Sequence, residues 1–206
     1  MKDQKPPEPR QVFMKYDYPG MPSPVFVYCP SCATRLSRRK SDERMSCPAC
    51  GFVEYRNPSP GVVVLIERDN RVLLGLRGET SNQKGKWCFP GGFVEYGEDY
   101  LSAAIREVKE ETNLDVEILS IISVISNFFA PSLHTLVINL YGRVVGGVAE
   151  AGDDLVELDW FPFEGPLPEL AFEAEAHIIE RYHAERIAGA PVDPRFSAPT
   201  AGRTPS

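Results

Sequence analysis

The chain has 206 residues, 43% of them hydrophobic, enough to bury one sizeable core with room for a small second unit beside it. No apolar run approaches the length that crosses a bilayer, and the N-terminus lacks the charged start, apolar stretch and small-residue cleavage site of a secreted chain, so a cytoplasmic protein without membrane contact is expected. A net charge of −7 disfavours non-specific nucleic-acid binding by the whole chain and leaves only a local basic patch to provide it.

Residues 1–24 carry six prolines among charges and few large apolar side chains, the composition of a flexible lead-in. Two cysteine pairs follow, Cys29-Pro-Ser-Cys32 and Cys47-Pro-Ala-Cys50, with fourteen residues between them. That spacing reads as a four-thiolate zinc ribbon over residues 25–55, and four thiolates leave no open position for water, so the zinc is structural. Two disulfides are the competing reading, disfavoured because no secretory signal accompanies them. Between the pairs, Arg35, Arg38, Arg39, Lys40 and Arg44 face only Asp42 and Glu43. A solvated knuckle is the simpler reading of that excess; contact with the phosphates of a capped RNA is the functional one.

The segment Tyr55 to Pro60 is a stiff connector, because residues before proline avoid the helical region. Val62 to Ile66 then reads as a strand, Asp69-Asn70 as a turn and Val72 to Leu76 as the second strand of a hairpin. A polar loop over 78–86 leads into Lys86-Trp87-Cys88-Phe89-Pro90-Gly91-Gly92. Cys88, between Trp87 and Phe89, reads as a small buried apolar residue, and Trp87 as core. A helix is predicted over 99–112, with Asp99 as its N-cap and Asn113 at a left-handed end. Strands are predicted at 116–125, 134–145 and 155–161, and Leu170, Ala174, Ile178 and Tyr182 mark a closing amphipathic helix from Glu169 to Arg186. The proline-containing stretch 188–206 reads as a flexible tail. His134, His177 and His183 are scattered and lack metal-ligand spacing. Strands with one helix inserted and another at the end fit an α/β domain over 56–187, a mixed sheet between helices.

The chemistry is concentrated between Gly92 and Leu114. Glu107, Glu110 and Glu111 stand at i, i+3 and i+4 and share one helix face, beside an apolar stripe of Leu101, Ala104, Ile105 and Val108. Stacked carboxylates repel by a few tenths of a kcal/mol per pair. This face is therefore either a solvated acidic surface or a cradle for a hard divalent cation such as Mg²⁺ or Mn²⁺. The turn Pro90-Gly91-Gly92 adds a backbone that can approach a metal or phosphate closely.

The full pattern runs Gly92, five residues, Glu98, seven residues, then Arg106-Glu107-Val108-x-Glu110-Glu111. It resembles the Nudix box, the signature of hydrolases that cleave a nucleoside diphosphate linked to another moiety. The one departure is Asn113, where the family usually has glycine; asparagine is the other residue that tolerates a left-handed helix end, so stability rather than activity is at stake. The resemblance implies an α/β/α sandwich over about residues 60–185. It also implies Glu107, Glu110 and Glu111 as Mg²⁺ or Mn²⁺ ligands together with the Gly91 carbonyl. Either Glu107 or Glu111 would take the proton from water, and Arg106 would orient the carboxylates. A further acid often follows the box, and Asp154 in Asp153-Asp154 is the best candidate.

With a ribbon in front, the chain resembles the zinc-containing branch of that family, which includes NADH, ADP-ribose and FAD pyrophosphatases. The NADH enzymes typically carry Ser-Gln-Pro-Trp-Pro-Phe-Pro after the box. Here Ser126-Asn127-Phe128-Phe129-Ala130-Pro131-Ser132-Leu133 departs from it at most positions. The expected substrate is therefore a small nucleotide, ADP-ribose or FAD, with AMP released, and Phe128, Phe129 and Phe172 are candidates to stack on the adenine. The alternatives are an NADH pyrophosphatase, a hydrolase that decaps NAD-capped RNA through the ribbon, and a non-catalytic nucleotide sensor; sensors usually lose box carboxylates, and all are present here. A homodimer is compatible with this reading.

Overall fold

The computed structural model describes residues 26–130, 133–185 and 189–192; of residues 128–130, 185 and 191 it describes the backbone alone. The proline-rich segment 1–24 and the chain beyond 192 lie outside the described residues.

The two cysteine loops fold alike. Cys29 N donates to Thr34 O and Cys47 N to Phe52 O, while Ala33 N returns to Cys29 O and Gly51 N to Cys47 O. The residue four past the first cysteine is left-handed in both, Ala33 at φ 58° and Gly51 at φ 78°. Strands β1 (Ser37–Arg38) and β2 (Met45–Ser46) pair antiparallel between the loops, over a small core of Cys29, Leu36 and Cys47. Asp42 gathers Arg39 and Arg44, and Arg38 reaches Glu43.

The remaining chain forms β3 (Ser59–Arg68), β4 (Arg71–Arg77), β5 (Trp87–Cys88), α1 (Tyr100–Thr112), β6 (Leu114–Ala130), β7 (Leu133–Gly147), β8 (Leu155–Pro162), α2 (Glu173–Glu185) and β9 (Ala190–Pro191). The sheet order is β5-β4-β3-β7-β6-β9, with β8 on β4. Pairing of β3 with β7 is parallel over Ser59–Ile66 and the other pairings are antiparallel. Val62, Val64 and Ile66 pack with α1, while Leu65 packs with Ile178 and Ile179 of α2 on the other face. The mixed α/β/α sandwich expected from the box is thus the fold observed.

Three details differ from the sequence reading. The 69–70 turn forms, with both residues at positive φ, but β3 and β4 pair only at Glu67↔Val72 and Arg68↔Arg71 before they diverge. A run such as Val62 to Ile66, apolar on both faces, demands a central position, and β7 rather than β4 supplies the neighbour. The closing helix begins at Glu173, not Glu169, because Trp87 N donates to Glu169 O and Ala171 N to Trp87 O, which holds 169–171 in extended pairing. Finally, β9 falls in the stretch read as tail, so the sheet extends past residue 187.

Helix α1 ends as its residues dictate. Asp99 Oδ1 accepts from Leu101 N at 2.9 Å and from Ser102 N at 3.1 Å, and Asn113 takes φ 56° with its N–H on Lys109 O. The Asn113 amide also donates to Val148 O at 3.2 Å, a tie that glycine could not make. Asn113→Ala should therefore lower unfolding free energy by about 1–2 kcal/mol, whereas Asn113→Gly, which trades the side-chain bond for an unstrained backbone, should stay within about 0.5 kcal/mol. Urea melts of the two variants check this; equal losses would mean that the left-handed backbone carries no cost.

Candidate active site

The site forms where the 89–92 segment passes between β3 and the two helices. Val64 N donates to Pro90 O and Val62 N to Gly92 O, so these carbonyls face β3. The intervening N–H groups point the other way, because an extended backbone alternates. Gly91 N donates to Glu111 Oε2 at 2.7 Å, and Phe89 N to Glu175 Oε1 at 2.9 Å. A side chain at either glycine would force a neighbour aside. A Cβ on Gly91 would collide with the Val62 carbonyl, and one on Gly92 would lie 2.5 Å from Glu107 Oε1.

Glu107 and Glu111 are buried on α1, at 9% and 3% exposure, whereas Glu110 lies on its outer side. Arg106 binds all three acids near it. Its Nε and Nη2 donate to Glu98 at 3.1 and 2.6 Å, and Nη1 reaches both Glu107 and Glu110 at 2.9 Å. The guanidinium holds the Glu98 carboxyl below the usual range. Burial raises Glu107 and pushes Glu111 up to about 8, against the Gly91 N–H that favours its charged form.

The loop after β7 is docked on the end of the same helix. Glu150 N donates to Thr112 O and Gly152 N to Glu111 O, which satisfies carbonyls that a helix C-terminus leaves unpaired. Asp153 and Asp154 follow directly; their charges add to the upward shifts of Glu107 and Glu111 respectively. Asp154 also lines a cavity of about 200 Å³ whose walls include Gly91, Gly92, Phe172, Asn127, Arg77 and Glu175.

The structure therefore brings Gly91, Glu107, Glu111 and Asp154 together and leaves Glu110 outward, tied to Arg106. Phe172 reaches the cavity, with the Arg77 guanidinium 5.6 Å from its ring centre. Phe128 and Phe129 lie at the end of β6, and their side chains are outside the described residues. Among the described residues only the four cysteines have every ligand atom within 4.8 Å of the others; Cys29 Sγ is 3.6 Å from Cys50 Sγ, and Cys32 Sγ 3.5 Å from Cys47 Sγ. A tetrahedral Zn²⁺ with Zn–S of about 2.3 Å has edges of about 3.8 Å, so this donor set is one that can hold zinc.

Residues 56–182 match the NUDIX domain model. The chain belongs to the Nudix hydrolase family. An ADP-ribose pyrophosphatase of Methanocaldococcus jannaschii is 40% identical over 129 residues, 62% of this chain and 75% of that protein. The NAD-capped RNA hydrolase NudC of Pseudomonas aeruginosa is 32% identical over 166 residues, 79% of this chain but only 58% of NudC. A NUDIX hydrolase structure from Nitrosomonas europaea superposes with a TM-score of 0.66 at 27% identity, covering 81% of this Nudix chain and 95% of that one.

Sequence reasoning missed Glu175 and Arg77. The signal for Glu175 was present: it stands three and four residues before Ile178 and Ile179, a carboxylate on the apolar face of α2. It is 3% exposed, and burial pushes its carboxyl up to about 8 despite the Phe89 N–H and the nearby Arg77 charge, with Glu111 adding to the rise. An acid whose folded pKa is raised above the ordinary value of about 4.3 stabilises the fold fully below that value and loses the contribution as pH climbs towards 8. Relative to wild type, Glu175→Gln should therefore gain stability between pH 5 and pH 9, at up to about 1.4 kcal/mol per pH unit. Chemical denaturation at pH 5, 7 and 9 measures it; a constant difference across that range would mean an ordinary, ionised carboxylate.

Proposed function

We propose that this Nudix hydrolase cleaves the diphosphate bond of ADP-ribose, with FAD the next candidate, using Mg²⁺ or Mn²⁺ and releasing AMP. The observation that carries this reading is the meeting of Glu107 and Glu111 at the bare Gly91-Gly92 backbone, which together with Asp154 lines one small cavity. The hard oxygen donors fit a divalent cation, and burial raises both glutamates, so an entering positive charge would favour their ionised forms. The likeness to an ADP-ribose pyrophosphatase supports the substrate. So does the cavity, which is smaller than the roughly 300–1,000 Å³ of pockets that enclose a whole drug-sized ligand, and so suits one compact moiety.

In this reading Glu107, Glu111 and the Gly91 carbonyl hold the cation, Glu110 joins from the outer side, and Asp154 completes the set from the docked loop. A bound divalent ion neutralises charge on the diphosphate and activates water. Arg106 fixes the carboxylate directions through its fork of donors. Glu107 or Glu111 accepts the proton of the attacking water. Arg77 supplies a positive charge on the cavity wall towards the diphosphate. In the ribbon, the four thiolates bind a structural Zn²⁺; the Thr34 hydroxyl and N–H beside Cys32 draw its thiol down to about 6, towards the thiolate form that metals bind.

Assay of the purified chain with Mg²⁺ against ADP-ribose, FAD, NADH and nucleoside triphosphates tests the function. Its kcat/KM for ADP-ribose or FAD should exceed that for NADH at least about tenfold, and Glu111→Gln should lower kcat about a hundredfold or more with the fold intact. No turnover of any compound would favour a sensor, and a Glu111→Gln enzyme within threefold of wild type would remove the metal assignment.

Metal analysis of unchelated protein should find about one zinc per chain, and Cys47→Ser should destabilise the ribbon by several kcal/mol of metal-linked folding energy. Zinc-free native protein would leave the cysteines with another role.

A further inference from the structure

The cavity contains more polar hydrogen-bonding capacity than the protein itself uses. Its floor is the α2 face of β6 and β7, where Asn127 pairs in register with Thr135 and Val137 follows with Asn139 two residues on. Its roof is the start of α2, with Ala174 and Glu175. Two of these groups are buried and lack any protein partner: Thr135 Oγ1 and Glu175 Oε2. Both residues are 3% exposed. Glu175 cannot turn to relieve this, because its other oxygen is held by Phe89 N at 2.9 Å. A buried polar atom without a partner costs on the order of 1–3 kcal/mol. A group that enters the cavity and comes within reach of them would remove that cost.

The cavity also limits what enters. At about 200 Å³ it takes one moiety and not a whole dinucleotide. Its apolar walls, Val63, Ile125 and Val137, suit a compact ring, and Asp154 and Gly91 at its edge place that ring next to the diphosphate. With Oε1 held by Phe89 N, Glu175 leaves only Oε2 free and so lacks the two parallel oxygens of a two-pronged contact with a base edge. Thr135 Oγ1 is a hydroxyl and meets a second group equally well as donor or acceptor. Sugar hydroxyls satisfy both positions.

We propose that Glu175 is a specificity-determining residue: its free Oε2, together with Thr135 Oγ1, hydrogen-bonds hydroxyls of the ribose that lies beyond the diphosphate in the substrate. This rests on the reading of the chain as a pyrophosphohydrolase of ADP-ribose type. Selection then works by leaving Glu175 unpaired when the entering ring has no hydroxyl, the kind of penalty that discriminates more strongly than an ill-fitting apolar wall.

The test is direct binding, which requires no turnover and so separates failure of this inference from failure of the proposed reaction. Calorimetry with Mg²⁺ compares ribose 5-phosphate with its hydroxyl-free tetrahydrofuran analogue, on wild type, Glu175→Leu and Glu175→Gln. Wild type should prefer the sugar at least tenfold, about 1.4 kcal/mol. Glu175→Leu should bring the ratio to within about twofold of one. Glu175→Gln should stay within about threefold of wild type, because its oxygen keeps the Phe89 N–H and its amide N–H₂ then donates to a hydroxyl. A wild-type ratio below about two, or an unchanged ratio in Glu175→Leu, overturns the proposal. If Glu175→Gln loses as much as Glu175→Leu, the partner is a donor-only group, and the hydroxyl assignment falls. Thermal melts establish that each variant is folded, and Thr135→Val, which removes the second hydroxyl contact while keeping the shape, replaces Glu175→Leu if that variant is not; it should lower the ratio at least threefold, and an unchanged ratio there counts against the proposal as well.

Discussion

The backbone from Phe89 to Gly92 lies between two sets of partners, and both require it to be extended and nearly bare. On one side its carbonyls at Pro90 and Gly92 take the Val64 and Val62 N–H groups of β3. On the other its N–H groups at Phe89 and Gly91 reach Glu175 of α2 and Glu111 of α1. Four residues thereby fix the central strand and both helices to one another. Gly91 is required by contact and not merely by turn propensity, since a methyl group there would displace β3, and one at Gly92 would push the Glu107 carboxylate aside.

Around that segment the protein accumulates negative charge that its own cations only partly answer. Arg106 neutralises Glu98 and shares one nitrogen between Glu107 and Glu110, whereas Glu111 and Glu175 accept from the backbone N–H groups of Gly91 and Phe89. Buried carboxyls in that condition hold their protons or attract a positive ligand. The docked loop sharpens the demand, because it brings Asp153 and Asp154 to the helix end that carries Glu111. An arrangement that costs folding energy in isolation is favourable once a cation and a diphosphate arrive together.

Much of this was legible in the chain. The box fixed α1, its Asp99 cap and the left-handed Asn113, because local spacing and capping chemistry depend on neighbours within a few residues. The cysteine spacing foretold two like knuckles for the same reason. What was hidden depends on tertiary pairing. Nothing near Val72 to Leu76 announces that β4 leaves β3 for β8, and nothing near Glu169 announces the bridge to Trp87 that delays α2. Glu175 was readable only as an anomaly, a charge on an apolar helix face, whose partner at Phe89 lies 86 residues away. Arg77, at the end of a strand, carried no signal until the fold brought Phe172 beneath it.

The two faces of the sheet divide the work. The carboxylates proposed to face the diphosphate come from α1, on the face packed by Val62, Val64 and Ile66, and from the loop docked on its end. The cavity opens on the α2 face, among Val63, Val137, Asn139 and Glu175. They meet at the Gly91-Gly92 backbone, which lines the cavity while it touches Glu111, and at Asp154, which lines the cavity from the docked loop. Substitutions on the α2 face can therefore change which moiety is accepted while the reacting groups keep their places, since α1 is anchored independently by Asp99, Asn113 and Arg106. A fold divided in this way lets one pyrophosphate-cleaving centre serve different substrates through a few residues on β6, β7 and α2.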